Sequence, residues 1–240
     1  MNEETALITD LQKDVAAVAH ISIVPTILEV ICRATGVGFA AVARVTPERW
    51  VACGVRDEIN FGLRAGGELK VDTTICHEIR QSETAVIIDD VANDVMYCSH
   101  HTPAMYGLQS YISVPLMRSS GNFFGTLCGI DPRPTLLNTP EIVGMFKTFA
   151  QLVSLHLDAL ELLSEETAER LQQEADNDLK EHLVAITAYS AKTAGTDNPG
   201  HRMTYSREPE FIALVNDCTA RAKELIRYIS ELKEGNNKRY

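Results

Sequence analysis

The amino-acid sequence predicts an α+β fold: a central antiparallel sheet flanked by helices, then a long helix and a C-terminal helical hairpin. Three observations carry that reading. Strand-like runs lie in consecutive pairs joined by short turns, 39–45 with 50–55 and 111–117 with 123–130, so each pair runs antiparallel. Helical segments fall between these pairs instead of alternating with every strand, which excludes a doubly wound parallel sheet. From Thr139 onward, Val143, Phe146, Phe149, Ala150, Val153, Leu157, Leu160 and Leu163 recur at spacings of three and four, and neither Gly nor Pro interrupts 145–194.

In chain order, residues 4–20 place Leu7, Leu11, Val15 and Val18 on one helical face. A second helix over 25–35 opens on Pro25, suited to a first turn, and ends at Gly36 and Gly38. Phe39–Val45 and Trp50–Val55 form a hairpin around Thr46-Pro47-Glu48-Arg49. Gly66-Gly67 marks a loop before 68–71. Thr73 or Thr74 is placed to cap a helix over 75–81, with Glu78 near its first turn. Val86–Ile88 is a short apolar strand closed by Asp89-Asp90, and 93–106 is loop-like with short helical turns. Tyr111–Met117 and Phe123–Ile130 are the last strands, joined at 119–122 and stopped by Asp131-Pro132-Arg133-Pro134.

The first half of the long helix is expected to pack on the sheet and the second half to leave the domain. Residues 167–178 carry only a thin apolar stripe, Ala168, Leu171 and Ala175, as in a weakly zippered coiled coil. After a break at 195–200, a last helix over 208–233 turns Phe211, Leu214, Val215, Cys218, Ala222, Leu225 and Ile229 to one face. Two helices alone bury little, so the hairpin is expected to pair with a second copy, making a homodimer. The expected domains are an N-terminal helix at 1–20, a sensory domain at 21–162 and a coiled-coil linker with dimerisation hairpin at 163–240.

Composition narrows the function. The 240 residues are 45% hydrophobic and 23% charged, the balance of a soluble globular protein. No run approaches the roughly 20 apolar residues of a membrane span, and the polar start MNEETALITDLQKD lacks a secretory pattern. Neither a membrane nor a nucleic-acid partner is expected, the latter because the net charge is −11. The six cysteines, 32, 53, 76, 98, 128 and 218, are widely spaced with no export signal, so a reduced, cytoplasmic setting is expected. Cys32, Cys53 and Cys128 lie in apolar runs and read as core residues.

The segments CHEIRQSETAVIIDDVA (76–92), SYISVPL (110–116) and FFGTLCGIDPRP (123–134) resemble GAF domains, and in particular the N-terminal GAF modules of soluble bacterial sensor histidine kinases. The resemblance covers about 20–162. It implies a sensory module that binds a small molecule and relays the change through a helical dimer, in a two-component-type pathway, to a downstream signalling protein. In such kinases the following hairpin holds a phosphoacceptor histidine, here His182. The sequence departs from that pattern: Leu183 and Val184 follow His182 where an acidic residue is usual, and no glycine-rich ATP-binding motif appears up to Tyr240. A complete histidine kinase is not expected.

The candidate ligand residues are Tyr97, Cys98, His100, His101, Tyr106, Asp89 and Ser113. Some GAF domains (phytochromes and cyanobacteriochromes) attach a linear tetrapyrrole through a cysteine in the loop before the SYISVPL strand. The alternative reading is therefore a photoreceptor with a bilin on Cys98 and His100 or His101 near the pyrrole nitrogens. It requires an accessible thiol and a pocket of several hundred Å3, on the order of 300 Å3 or more. Cys98, His100 and His101 are also borderline-soft metal ligands, with Cys76-His77 as the remote candidate for completing a set. Free methionine sulfoxide reductases are GAF enzymes with pocket cysteines, and Cys76 at a helix start is the position that fits that comparison, although Ile75 and Ile79 suit a packed residue. A ligand-free dimeric scaffold is the remaining reading. The ligand itself is not readable from the residues.

Overall fold

The computed structural model describes residues 3–162, 173, 177, 180–189 and 209–237. Its elements are α1 (Glu3–His20), α2 (Val24–Thr35), β1 (Phe39–Val45), β2 (Trp50–Asp57), β3 (Glu68–Leu69), α3 (Ile75–Ser82), β4 (Val86–Ile88), α4 (His101–Tyr106), β5 (Ser110–Met117), β6 (Phe123–Asp131), α5 (Pro140–Leu162), α6 (180–189) and α7 (Pro209–Asn237). The six strands form one sheet in the order β3-β2-β1-β6-β5-β4, antiparallel at every pairing. The α+β reading holds.

Alternation along the strands divides the interior in two. On one face Ala40 and Val42 of β1, Ile112, Val114 and Leu116 of β5, and Leu127 of β6 join the apolar residues of α2 and α5. On the other face Phe39 and Ala41, Tyr111, Cys128 and Ile130 pack with Ile75 and Ile79 of α3. Trp50, Ala52 and Cys76 extend this second core toward β3. A bulge in the β1–β2 register follows Val42, which pairs with Gly54, while Ala43 pairs with Ala52. Cys53 is the extra residue and points into the helix-side core.

Local sequence explains the helix ends. Pro25 sits in the first turn of α2, and Gly36, at φ 79°, turns its N–H back to the Cys32 carbonyl. The expected threonine cap on α3 is different. Thr74 occupies the N-cap, but its hydroxyl donates to the Val71 carbonyl at 2.7 Å instead of accepting from the helix, because the preceding 3-10 turn, Val71–Thr73, offers a nearer acceptor. Asp131 is fully buried at the end of β6. Its carboxylate accepts from the Gly38 N–H at 2.8 Å and from the backbone and guanidinium of Arg133, so it ties the α2–β1 turn to the close of the sheet.

α5 is joined to β5 by a compact polar junction. Asp158, 6% exposed, accepts from Arg118 Nε at 2.5 Å and from the Ser119 backbone N–H at 3.0 Å, and the Ser154 hydroxyl donates to the Met117 carbonyl at 2.5 Å. Further along, α6 and α7 lie antiparallel: Tyr189 meets Phe211 with ring centroids 5.9 Å apart, and His182 Nε2 is 3.1 Å from Asp217 Oδ2. Leu183, Ile186, Phe211, Val215, Cys218 and Ala222 are buried and continuous with the helix-side core. The expected coiled coil at 164–178 lies outside the described residues, apart from exposed Gln173 and Asn177.

Two glycines separate packing from propensity. A Cβ on Gly125 would sit 1.8 Å from the Ala43 carbonyl oxygen, whereas one on Gly144 meets nothing within 4 Å. Gly125→Ala should destabilise by about 3 kcal/mol or more, since backbone has to move. Gly144→Ala, within α5, should stabilise by about 0.5–1 kcal/mol. Urea denaturation of the two variants checks both signs.

Candidate functional site

The second core is not completely filled. Between the sheet and the α3–α4 side lies a cavity of about 40 Å3, lined by residues that include Phe39, Trp50, Phe61, Ile75, Cys76, Tyr106, Tyr111 and Cys128. The cavity also touches α4 through Thr102 and Tyr106. Its size does not match a large ligand. About 10–15 Å3 holds one water, so the cavity takes a guest of a few heavy atoms unless its walls open.

Three aromatic rings form one wall. Phe61 stands 5.0 Å from Phe39 and 5.8 Å from Tyr106 between ring centroids, both tilted. Phe61 is held by Asp57, whose carboxylate accepts the backbone N–H groups of Ile59 at 3.1 Å, Phe61 at 3.0 Å and Gly62 at 2.9 Å. Burial alone would raise the Asp57 pKa, but these N–H donors outweigh it and hold the carboxyl below its ordinary range. Tyr106 is fixed by a 2.7 Å hydrogen bond between its phenol and the Thr73 hydroxyl.

The same cavity is bordered by a buried cluster around one sulfur. Thr126 Oγ1 donates to Cys76 Sγ at 3.3 Å, and the Tyr111 phenol oxygen lies 3.3 Å from the same sulfur. The Cys128 thiol gives the largest push toward the Cys76 thiolate. Burial opposes it, Thr126, Tyr111 and Trp50 add to it, and the Cys76 pKa comes down from the ordinary thiol range. Cys128 is displaced upward, first by Cys76 and then by burial. Trp50 Nε1 is buried and lines this region; it favours the Cys76 thiolate from nearby, but its N–H does not meet hydrogen-bond geometry with that sulfur or with any other acceptor.

Of the seven expected ligand residues, Tyr106 alone lines the cavity. Cys98 is exposed. Its neighbours tie the loop down: His100 Nδ1 accepts from the Thr102 N–H at 3.2 Å, so Nε2 carries the proton and donates to Glu78 Oε1 at 2.6 Å. His101 stacks on His100 with centroids 4.4 Å apart and donates through Nε2 to the Asp72 carbonyl at 3.1 Å. Tyr97 packs 5.4 Å from the His100 ring and borders an open groove on the outer side of α3. Asp89 accepts the backbone N–H of Leu137 at 2.7 Å and of Asn138 at 2.8 Å, joining β4 to the segment that enters α5. Ser113 is buried beside Val86 with its hydroxyl unpartnered. The arrangement brings no cluster of three potential metal ligands together among the described residues. The exposed Cys98 is not among the residues that line the cavity of about 40 Å3.

Sequence reasoning passed over Phe39, Trp50, Phe61 and Tyr111 as site residues. The available signal was period two: Phe39 and Tyr111 alternate with residues of the helix-side core on their own strands.

The model of the GAF domain family matches residues 20–157, more than half of the chain. The chain belongs to the GAF domain family. Solved GAF structures with similar backbones include that of an Acinetobacter phosphoenolpyruvate-protein phosphotransferase, at 12% identity and TM-score 0.46 over 68% of this chain and 99% of that one. The blue-light absorbing form of the Thermosynechococcus elongatus PixJ GAF domain aligns at 13% identity and TM-score 0.49 over 67% and 94%. A type II free methionine-R-sulfoxide reductase from Thermoplasma acidophilum aligns at 16% identity and TM-score 0.38 over 49% and 77%. At these identities the likeness concerns the backbone alone. No curated protein matches the chain.

Two outcomes follow for this GAF domain. A depressed carboxyl pKa contributes stability above the unfolded value, about 3.9 for aspartate, and loses it as pH falls through the folded value. Hydrogen-exchange protection at Ile59, Phe61 and Gly62 should therefore fall below about pH 4. Asp57→Ala should remove that protection at neutral pH, at a cost of about 1–2 kcal/mol. Burial also pushes the Cys53 and Cys218 thiols up to about 12. Iodoacetamide on the native protein at about pH 8, near an ordinary thiol pKa, should label exposed Cys98 first, with Cys53 and Cys218 reacting only after denaturation, as read by peptide mass spectrometry.

Proposed function

We propose that the protein is a small-molecule sensor. A compact guest enters the cavity beside α3, and the resulting change in packing passes through the sheet to α5 and then to the C-terminal helices. Those helices pair with a second copy, and the homodimer presents its altered face to a downstream signalling protein of a two-component-type pathway. The observation that carries this reading is the sharing of strands. β5 and β6 place Tyr111 and Cys128 at the cavity and, one residue away, Ile112 and Leu127 in the core that contains α5.

The strands couple the two sides because a shift that turns one residue outward turns its neighbour inward. The polar junction of Arg118, Ser119 and Asp158 then ties the end of β5 to α5. A ligand shifts the population of two packings by its difference in affinity for them. The guest best suited to the present walls is small and largely apolar, with an acceptor for the Trp50 N–H. No single helix among the described residues is long and apolar enough to cross a membrane, in keeping with a sensor that works in solution.

Thermal-shift screening against small metabolites tests the reading, with emission of Trp50, the single tryptophan, as a second readout at the cavity wall. A ligand at one hundred times its Kd should stabilise the fold by about 2.7 kcal/mol, and should alter Trp50 emission. Native mass spectrometry should show a dimer. A monomer whose melting and emission respond to no compound would overturn the sensor reading.

A further inference from the structure

The second core holds chemistry that ligand sensing does not use. Cys76 and Cys128 come from different elements, α3 and β6, and both line the same cavity. Both are free thiols and buried, at 4% exposure each. The Cys128 thiol donates to the Ala41 carbonyl at 3.6 Å, and three polar groups stand near Cys76. The Thr126 hydroxyl donates to Cys76 Sγ, the Tyr111 phenol reaches the same sulfur, and Trp50 Nε1 is a buried donor without an acceptor. An ordinary structural cysteine in an apolar core has no such set of donors.

The cavity is also of a particular size. At about 40 Å3, with its walls as they stand, it admits a molecule of two or three heavy atoms. A guest with two acceptor oxygens would satisfy the Trp50 N–H and sit against the sulfur. Hydrogen peroxide meets both conditions.

From this juxtaposition we infer that Cys76 and Cys128 are a peroxide-reactive dithiol site. The Cys76 sulfur, which gives up its proton, attacks one peroxide oxygen. The O–O bond breaks, the departing hydroxide takes up the proton and leaves as water, and Cys76 becomes a sulfenic acid. The Cys128 thiol then attacks the Cys76 sulfur. A sulfur–sulfur bond forms, the S–O bond breaks, and the hydroxide leaves as a second water with the Cys128 proton. Two thiols lose two electrons in total, and one peroxide gains them. The donors that favour the Cys76 thiolate make it the attacking group, while Cys128, displaced upward, stays protonated as the resolving thiol. The bond would draw α3 onto β6 and release the Thr126 and Tyr111 hydroxyls from Cys76. Tyr111 lies on β5, whose other face belongs to the α5 core.

The test uses the full-length protein and a Cys98→Ser variant, which removes the exposed thiol without touching the core. Each is treated with hydrogen peroxide under native conditions, the remaining thiols are alkylated on denaturation, and the digest is read by mass spectrometry. The expected product in both proteins is a peptide pair joining Cys76 to Cys128, lighter by two hydrogens than the separate thiol peptides. Trp50 emission should change with the same time course and recover on adding dithiothreitol. In Cys128→Ser, dimedone should trap a sulfenic acid on Cys76. Should that variant fail to fold, the crosslink in the other two proteins still decides. Oxidation confined to Cys98, or a Cys76–Cys128 link that forms only after denaturation, would overturn the inference. Either result leaves the response to small metabolites intact, since that is read by melting without oxidant.

Discussion

A β-strand presents successive side chains to opposite faces, and this constraint organises the whole domain. β1, β5 and β6 each serve two cores at once. Neither core can be repacked without disturbing the strands that the other rests on. The requirement is severe at the centre of the sheet. Gly125 faces β1 so closely that no side chain fits, and Gly129 on the same strand would press a Cβ against Val37 and Phe146. β6 is accordingly small where neighbouring backbone and helices approach it, and carries Cys128 and Thr126 where the cavity and its thiol cluster require them.

Polar groups are used sparingly in this interior, and nearly every one has a structural partner. Asp131 closes the sheet onto the α2–β1 turn, Asp57 binds its own following loop, Asp89 holds the entry to α5, and Asp158 holds the end of β5. Each carboxylate accepts at least one backbone N–H, so its oxygens find partners within the fold. The exceptions among the described residues include Arg33 and Arg80 on helices, and also Trp50 and Ser113, which bury polar atoms without hydrogen-bond partners on strands that border the second core or its edge. Unsatisfied buried donors are costly enough, about 1–3 kcal/mol each, that their presence near a cavity points to a place where something else binds.

The relation between that cavity and the C-terminal helices follows from connectivity. The helix-side core is one continuous body from α2 through α5 to α6 and α7. A movement of β5 is therefore felt by packed side chains over that whole length and not only at a hinge. Both the sensing of a guest and the oxidation of the thiol pair would act on the same wall, through Tyr111. The two inputs differ in strength: a noncovalent guest biases an equilibrium by its differential affinity, whereas a covalent bond between α3 and β6 holds one packing until it is reduced.

Local pattern was enough to establish the antiparallel pairing, the helix-rich C-terminus and the burial of Cys32, Cys53 and Cys128, because alternation, turn residues and apolar periodicity are short-range properties. What it could not establish was which side chains line the cavity. His100, His101 and Tyr97 stand out in the sequence as reactive residues, yet they spend their polarity and rings on one another, on Glu78 and on Asp72. The capping role given to Thr74 failed for a related reason, since a 3-10 turn supplied a nearer acceptor. The lining residues that matter, Phe39, Trp50, Phe61, Cys76, Tyr111 and Cys128, come from four strands, one loop and one helix, and no spacing between them marks the set. Their meeting is decided by strand order and by the helix laid across β6, long-range facts that exist only once the chain has folded.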